Sequence, residues 1–327
     1  EIAQCLVGSE MCIRDSTYPS STNNVNAMQE VFQGALNPFR AIIVPPEPVT
    51  TVEQLTALIQ KTFGDAGKGD VCYLYLSTHG VYDPASGQEP MLLLSDGQTE
   101  NGVTPAQLEA AFDGIEGTKV LILDACNSGA FIGKGLPSLP EKVYFLGEDF
   151  KVLTSSGALE ESWYWSVDDQ NEAGAAAQGS FYFTQALVQS LSAAYGYPAD
   201  QNRDGCIVLS ELYEYLVLNH AASTPQVYPQ SDDFVVFRYD ASQPLPTGLA
   251  RAPIMDVTFS GTTLSRTSRQ ITIEFIAMRP VRVAYQVVYQ RDGKWEFDHA
   301  QLIYDEAERF TAYGDQPGAI SAGRKVR

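Results

Sequence analysis

The sequence predicts an α/β fold, a layered sandwich around a mostly parallel sheet, followed by a partial β-sandwich domain. Three observations predict it. Short apolar runs alternate with helical patterns over residues 17–242. Several of these runs are apolar on both faces, as strands covered by helices on both sides must be. Beyond residue 253 the helical pattern stops and β-type alternation replaces it.

Taken in order, apolar or β-branched runs place strands at 41–44, 71–78, 120–125, 143–146, 152–155 and 234–237. A helix is expected over 25–36. Thr50 with Glu53 reads as a capping box that opens a helix to residue 63. In such a box a hydroxyl and a side chain three residues on satisfy each other's free amides. Thr104, with Pro105 in the first helical position and Gln107 behind it, opens another helix to residue 112. Helices also fit 180–195 and 210–221. Gln243-Pro244-Leu245-Pro246-Thr247-Gly248 has the composition of a linker, placed at 243–253. After it, strands are expected at 254–259, 270–276, 281–289 and 295–302, with Arg291-Asp292-Gly293-Lys294 the clearest turn. These are too few to complete a sandwich, so the domain at 254–327 reads as truncated.

The chain has 327 residues, with 21 Lys and Arg against 40 Asp and Glu, a formal charge of −19. Nucleic acids and anionic membranes recruit basic patches, so this field speaks against both and favours cationic ligands. Hydrophobic residues at 44% beside 19% charged residues exclude wholesale disorder. No apolar run has the length of a membrane-spanning helix.

Leu6-Val7-Gly8-Ser9-Glu10-Met11-Cys12-Ile13-Arg14-Asp15 reads as a translated sequencing-library transposon adapter. The codons CTC GTG GGC TCG GAG ATG TGT ATA AGA GAC give these residues in order. Residues 1–16 are therefore expected to be foreign to the natural chain, which starts near Thr17. Setting them aside leaves Cys72, Cys126 and Cys206, which make no disulfide framework and no Cys-x-x-Cys zinc pair.

Two expected strands end in reactive residues. Cys72-Tyr73-Leu74-Tyr75-Leu76-Ser77-Thr78 runs into His79-Gly80, and Val120-Leu121-Ile122-Leu123-Asp124-Ala125 runs into Cys126-Asn127-Ser128-Gly129. Sites in open parallel sheets form at the carboxyl ends of strands. A thiol near its free pKa is mostly protonated at neutral pH, and an adjacent imidazole activates it by taking the proton. Backbone amides near Gly80 and Cys126 are placed to stabilise an oxyanion.

These paired motifs resemble the caspase-like cysteine peptidases, which comprise caspases, metacaspases, legumains, clostripain and gingipains. The 47-residue gap between His79 and Cys126 matches the caspase-type spacing. Asp124-Ala125-Cys126-Asn127-Ser128-Gly129 is most similar to the metacaspase and bacterial version. Residues 154–163 resemble the following strand and pocket loop, with a legumain-like Glu-Ser. The resemblance implies a caspase-like three-layer sandwich and a cysteine endopeptidase acting on polypeptides. Cys126 is then the nucleophile, His79 the general acid and base, and Gly80 part of the oxyanion hole. It also implies that Asp124, with Ser155 and Glu161, reads an Arg or Lys before the cut, and that Asp168 and Asp169 add charge to the rim. Self-processing between Cys126 and Val152 is a further expectation, at Lys134, Lys142 or Lys151. The family's first strand belongs where the adapter-like stretch stands. An inactive binding module on the same fold and a non-proteolytic thiol hydrolase remain open as alternatives.

A second motif is independent of the first. Residues 200–211 fit a twelve-residue EF-hand loop, with Asp200, Asn202 and Asp204 at positions 1, 3 and 5 and Gly205 at 6. Cys206 would ligate by its carbonyl at position 7, and Glu211 stands at position 12. Calcium is the expected ion, as a structural or regulatory ligand. Calcium, acidity and a β-rich tail together fit an extracytoplasmic bacterial protein. There is no Gly-x-Ser-x-Gly, His-Glu-x-x-His or Gly-x-Gly-x-x-Gly, and the phosphate-loop-like stretch at 129–135 lacks a Ser or Thr after its Lys.

Overall fold

The computed structural model describes residues 3–9, 20–36, 39–96, 99–136, 142–167, 178–219, 223–243, 254–260, 272–277, 288–291, 294–297 and 325–326. The chain divides into two compact units, Glu1–Ser192 with Tyr197–Pro244, and Ala193–Gly196 with Leu245–Arg327.

The first unit opens with β1 (Ala3–Ser9), α1 (Ser20–Gln33), β2 (Ala41–Ile43), α2 (Val52–Phe63) and β3 (Val71–Ser77). Next come β4 (Gly80–Val81), β5 (Met91–Ser95), β6 (Glu100–Val103), α3 (Pro105–Ala110), β7 (Thr118–Asp124) and β8 (Phe150–Thr154). The unit closes with β9 (Tyr164–Val167), β10 (Gln178–Phe181), α4 (Tyr182–Ser190), β11 (Cys206–Val208), α5 (Leu209–Asn219), β12 (Gln226–Tyr228) and β13 (Val235–Arg238). The central sheet has the order β12-β8-β7-β3-β1-β2. Every neighbouring pair in it is parallel except β12–β8.

Side-chain alternation along β3 and β7 sorts the layers. Cys72, Leu74 and Leu76, with Leu121, Leu123 and Ala125, join one core with Leu55, Ile59 and Phe63 of α2 and Leu108 of α3. The intervening residues face the opposite layer. Tyr73 packs against Phe32 of α1, and Tyr75 hydrogen-bonds Thr184 of α4. The product is a helix–sheet–helix sandwich with a mostly parallel centre.

The local signals were close to the mark at the caps. The Thr104 box with Gln107 forms. The α2 cap is Thr51 rather than Thr50, its hydroxyl accepting from the Gln54 amide at 3.2 Å. Gln54 therefore completes the box in place of Glu53.

Three expected elements differ. Residues 143–146 form no strand: Phe145 sits at φ 58°, wholly buried against Phe150, its amide bonded to Glu109. A left-handed residue cannot continue a ladder. The strand read at 234–237 exists as β13, but it pairs antiparallel with β11, outside the central sheet. The helix read at 180–195 ends at Ser190, and a 3₁₀ turn follows at Ala193–Tyr195. The adapter-like stretch supplies β1, which runs parallel between β2 and β3.

The second unit contains β14 (Ile254–Ser260), β15 (Thr272–Ala277), β16 (Val288–Arg291), β17 (Lys294–Phe297) and β18 (Lys325–Val326). The strands pair antiparallel as β14-β15-β18 and β16–β17, with Arg291 opposite Lys294 beside the expected turn. Among the described residues, no helix is long and apolar enough to cross a membrane.

Thr51→Ala should lower stability by about 1 kcal/mol through loss of the cap, and Thr50→Ala by clearly less. Chemical denaturation of the two variants checks this, and an equal loss would return the cap to Thr50.

Candidate active site

The site begins with strand register. β3 and β7 are parallel neighbours with Ser77 opposite Asp124. His79 and Cys126 each stand two residues past that pair, so both follow strand ends at one edge of the sheet. The Thr78 amide donates to the Asp124 carbonyl at 3.0 Å, which extends the pairing beyond the last ladder residues. Past His79 the chain turns into a small antiparallel sheet, β4-β5-β6, not foreseen in the sequence. That sheet anchors the turn. The Leu93 amide donates to the His79 carbonyl at 2.9 Å, and the Thr78 hydroxyl donates to the Leu93 carbonyl at 2.6 Å. The His79 side chain is left exposed.

Gly80 presses directly on the backbone of Cys126. A Cβ there would lie 1.7 Å from the Cys126 carbonyl oxygen and 3.3 Å from Ala125 Cβ. Only a glycine lets the two loops approach this closely. On the other side, Asn127 turns the chain at φ 58°, its amide donating to the Glu160 carbonyl and its side chain to the Ala158 carbonyl.

Ser162 links the thiol to the acid. Its amide donates to Cys126 Sγ at 3.3 Å, the thiol faces its carbonyl at 3.6 Å, and its hydroxyl donates to Asp124 Oδ1 at 2.9 Å. Cys126 and Asp124 thus share a face, as their two-residue spacing predicts. Burial pushes the Cys126 thiol up to about 11, helped by the negative charges of Glu161 and Asp124 and opposed by the Ser162 amide. Cys126 therefore keeps its proton at neutral pH. Cys72, inside the core, is pushed up to about 12 by burial.

Asp124 is wholly buried. Its Oδ2 accepts from Thr184 Oγ1 at 2.6 Å, and Ser155 and the Thr184 amide also bond to the carboxylate. Phe181, at the N-cap of α4, offers no side-chain bond, so Asp124 serves this helix as a cap from another element. Burial raises its pKa from 3.8 to about 6, against the pull of these hydrogen bonds.

Ser155 is buried, giving and taking hydrogen bonds with the Ala125 carbonyl and amide, so it braces the strand end behind the site. Glu161 is exposed beside the thiol. Asp168 and Asp169 lie outside the described residues. Lys134 reaches Gln230, whereas Lys151 is buried in β8 and paired with Asp232, which removes it as a cleavage point.

The 200–211 loop takes the expected turn. Gly205 lies at φ 83°, Asp200 accepts from the amides of Arg203 and Gly205, and Asn202 and Asp204 each accept from the amide two residues on. Glu211 accepts from the Val208 amide. Tyr239 also donates to Asp200 at 2.7 Å, and burial with that bond raises Tyr239 to about 12. Cys206 Sγ takes a bond from Arg238, leaving its carbonyl as the group for a cation. The donors are hard oxygens of the kind calcium takes. In this arrangement they bond to their own backbone, and among the described residues no three His, Cys, Asp or Glu side chains converge as a metal cluster.

Two outcomes follow from this geometry. Gly80→Ala should cost about 3 kcal/mol through overpacking and reduce any activity of Cys126 on the order of a hundredfold by displacing the loops. Thermal melting and turnover check it, and a fully active Gly80→Ala protein would contradict the close approach. Because folding raises the Asp124 pKa, the folded state binds the extra proton. Stability should therefore fall as pH rises from about 4 through about 6, by roughly 3 kcal/mol in all, and stay level above. Asp124→Asn, which still caps α4, should abolish that slope in pH-dependent urea denaturation, and an unchanged slope would assign it to another group.

No family model and no curated protein matches the chain. Among solved structures, it is similar to a Geobacter sulfurreducens protein at 13% identity and TM-score 0.45, over 70% of this chain and 93% of that one. It is likewise similar to caspase-1 from Spodoptera frugiperda at 15% identity and TM-score 0.45, over 74% of this chain and 92% of that one.

Proposed function

We propose that this chain is a cysteine endopeptidase that cleaves polypeptides after Arg or Lys. The observation that carries the reading is the in-register pair Ser77 and Asp124, which sets His79 and Cys126 at equal distances past two adjacent strand ends. In this reading Cys126 Sγ attacks the scissile carbonyl carbon as its proton passes to the His79 imidazole. The raised thiol pKa favours this concerted transfer over a resting ion pair. The oxyanion of the tetrahedral intermediate faces the amides of Gly80 and Cys126. His79 returns the proton to the leaving amine as the C–N bond breaks. Water, deprotonated by His79, then hydrolyses the thioester and frees Cys126.

The P1 preference rests on Asp124. A carboxylate out of water, held by hydroxyls and an amide, gains most from a cation that replaces its lost solvation. The overall charge of −19 favours approach of basic peptides.

Calcium is a second, separable part of the proposal. Asp200, Asn202, Asp204, the Cys206 carbonyl and Glu211 would hold it, and it would join the turn before β11 to the start of α5. Its chemistry there is electrostatic, with no part in the bond-making steps.

A peptide-library screen tests the activity. Wild type should cut after Arg and Lys, Cys126→Ala should show no turnover, and His79→Ala should lose nearly as much because the pair acts as a unit. Asp124→Asn should fold and lose the Arg and Lys preference. Cleavage by Cys126→Ala would end the peptidase reading, and an Asp124→Asn protein with undiminished Arg and Lys turnover would leave Asp124 as a helix cap only. Calcium should raise the melting temperature, corresponding to about 2.7 kcal/mol at a hundred times its dissociation constant. Glu211→Gln should remove most of that gain. Equal melting in excess calcium and in chelator would refute the ion.

A further inference from the structure

A chain of buried hydroxyls runs across the helical layer to Asp124. Thr184 Oγ1 spends its only proton on Asp124 Oδ2. At the 2.6 Å contact between Tyr75 and Thr184, Tyr75 must then be the donor. Ser77 bonds in turn to the Tyr75 oxygen. Behind it, Asn24 Nδ2 donates to Ser77 Oγ at 3.3 Å. The Asn24 amide is oriented from its far side, where its oxygen accepts from Ser180 Oγ and the Phe181 amide. Asn24, Ser77, Tyr75, Thr184 and Asp124 are all fully buried. Every proton in the chain points toward the carboxylate, and such chains strengthen along their length.

We infer that Thr184, backed by Tyr75, Ser77 and Asn24, is a positioning residue that holds Asp124 ionised and aimed at the basic P1 side chain. The inference rests on the proposed peptidase reading for its substrate and deepens it by naming what makes the pocket acid an anion. A protonated Asp124 would have to donate, yet Ser162 and Thr184 both already donate to it, one to each oxygen. A proton on Oδ2 would have to displace the Thr184 donor and turn the chain behind it, and a proton on Oδ1 would have to displace that of Ser162, so the donors favour the carboxylate. The titratable groups facing Asp124 are Tyr75 from β3 and Cys126 past β7, with Glu161 facing the thiol from the loop before β9. From α1 and α4 come Asn24 and Thr184, which do not titrate, and Tyr182 feels burial alone. The sequence holds one hint of the chain. Thr184 stands with Phe183, Ala186 and Leu187 on the buried side of α4, where a hydroxyl requires a partner.

The test compares Thr184→Val, Thr184→Ser and Tyr75→Phe. In the active protein, the acid limb of kcat/KM on Arg and Lys peptides should move up by about one pH unit in Thr184→Val, a tenfold loss at the foot of the limb. The loss should close at high pH, which a merely structural defect would not do. Thr184→Ser should restore the wild-type limb, and Tyr75→Phe should move it the same way by less. In the Cys126→Ala background, carbon NMR titration of the Asp124 carboxyl, assigned by its absence in Asp124→Asn, reads the same shift without activity. If Thr184→Val fails to fold, Tyr75→Phe carries both measurements. An unmoved carboxyl titration in the folded variants would overturn the inference. A moved titration in a protein with no Arg or Lys preference would overturn its role in specificity and the P1 reading together, leaving only the hydrogen-bonded chain.

Discussion

The register of β3 against β7 is the constraint on which the site depends. Parallel strands in register end together, so the residues that follow leave the sheet at one edge. Here the followers are an imidazole, a glycine and a thiol. The close approach of Gly80 to the Cys126 backbone adds a second constraint, because it fixes how the two loops stack once the ladder stops. Neither constraint needs the side chains that do chemistry. The scaffold positions the site through backbone and glycine, and the reactive groups occupy what remains.

The cost of the arrangement is concentrated on one residue. Asp124 sits where the sheet is covered by α4, with no water to solvate its charge. Hydroxyls from Ser155, Ser162 and Thr184 and an amide of the helix offset part of that cost, and burial still leaves the pKa raised, to about 6. In the proposed reading a basic substrate side chain would offset that cost, so the residue that weakens the fold at neutral pH would strengthen substrate binding. Ser162 touches both Asp124 and Cys126, which makes the carboxylate and the thiol one local structure rather than two neighbours.

The central strands were legible because a doubly covered strand writes itself as a continuous apolar run, and the two reactive residues follow such runs directly. Thr104 was legible as a cap because its box is local. The misreadings have physical reasons. Val143-Tyr144-Phe145-Leu146 is as apolar as a strand, but its aromatic ring fills the core from a left-handed residue, a placement that composition does not record. Thr50 and Thr51 are adjacent, and choosing between them depends on which side chain three residues on folds back. Ser162, Thr184 and Tyr75 were missed because they converge on Asp124 from distant parts of the chain, and only the folded layers bring them together. Ser155, expected beside Asp124, bonds to that carboxylate and also to the Ala125 backbone, the second contact being one that no spacing rule announces.

The central claim is that Cys126 is a nucleophile served by His79 and addressed through a basic side chain. Intact-mass spectrometry with irreversible peptidyl probes tests it most directly, since these probes require attack by an activated thiol and recognition of P1 in one event. The account predicts a single covalent adduct on Cys126 with an Arg- or Lys-terminated probe, little with an Asp-terminated one, and none in His79→Ala. Labelling that ignores the P1 residue, falls on Cys206, or persists in His79→Ala would contradict it.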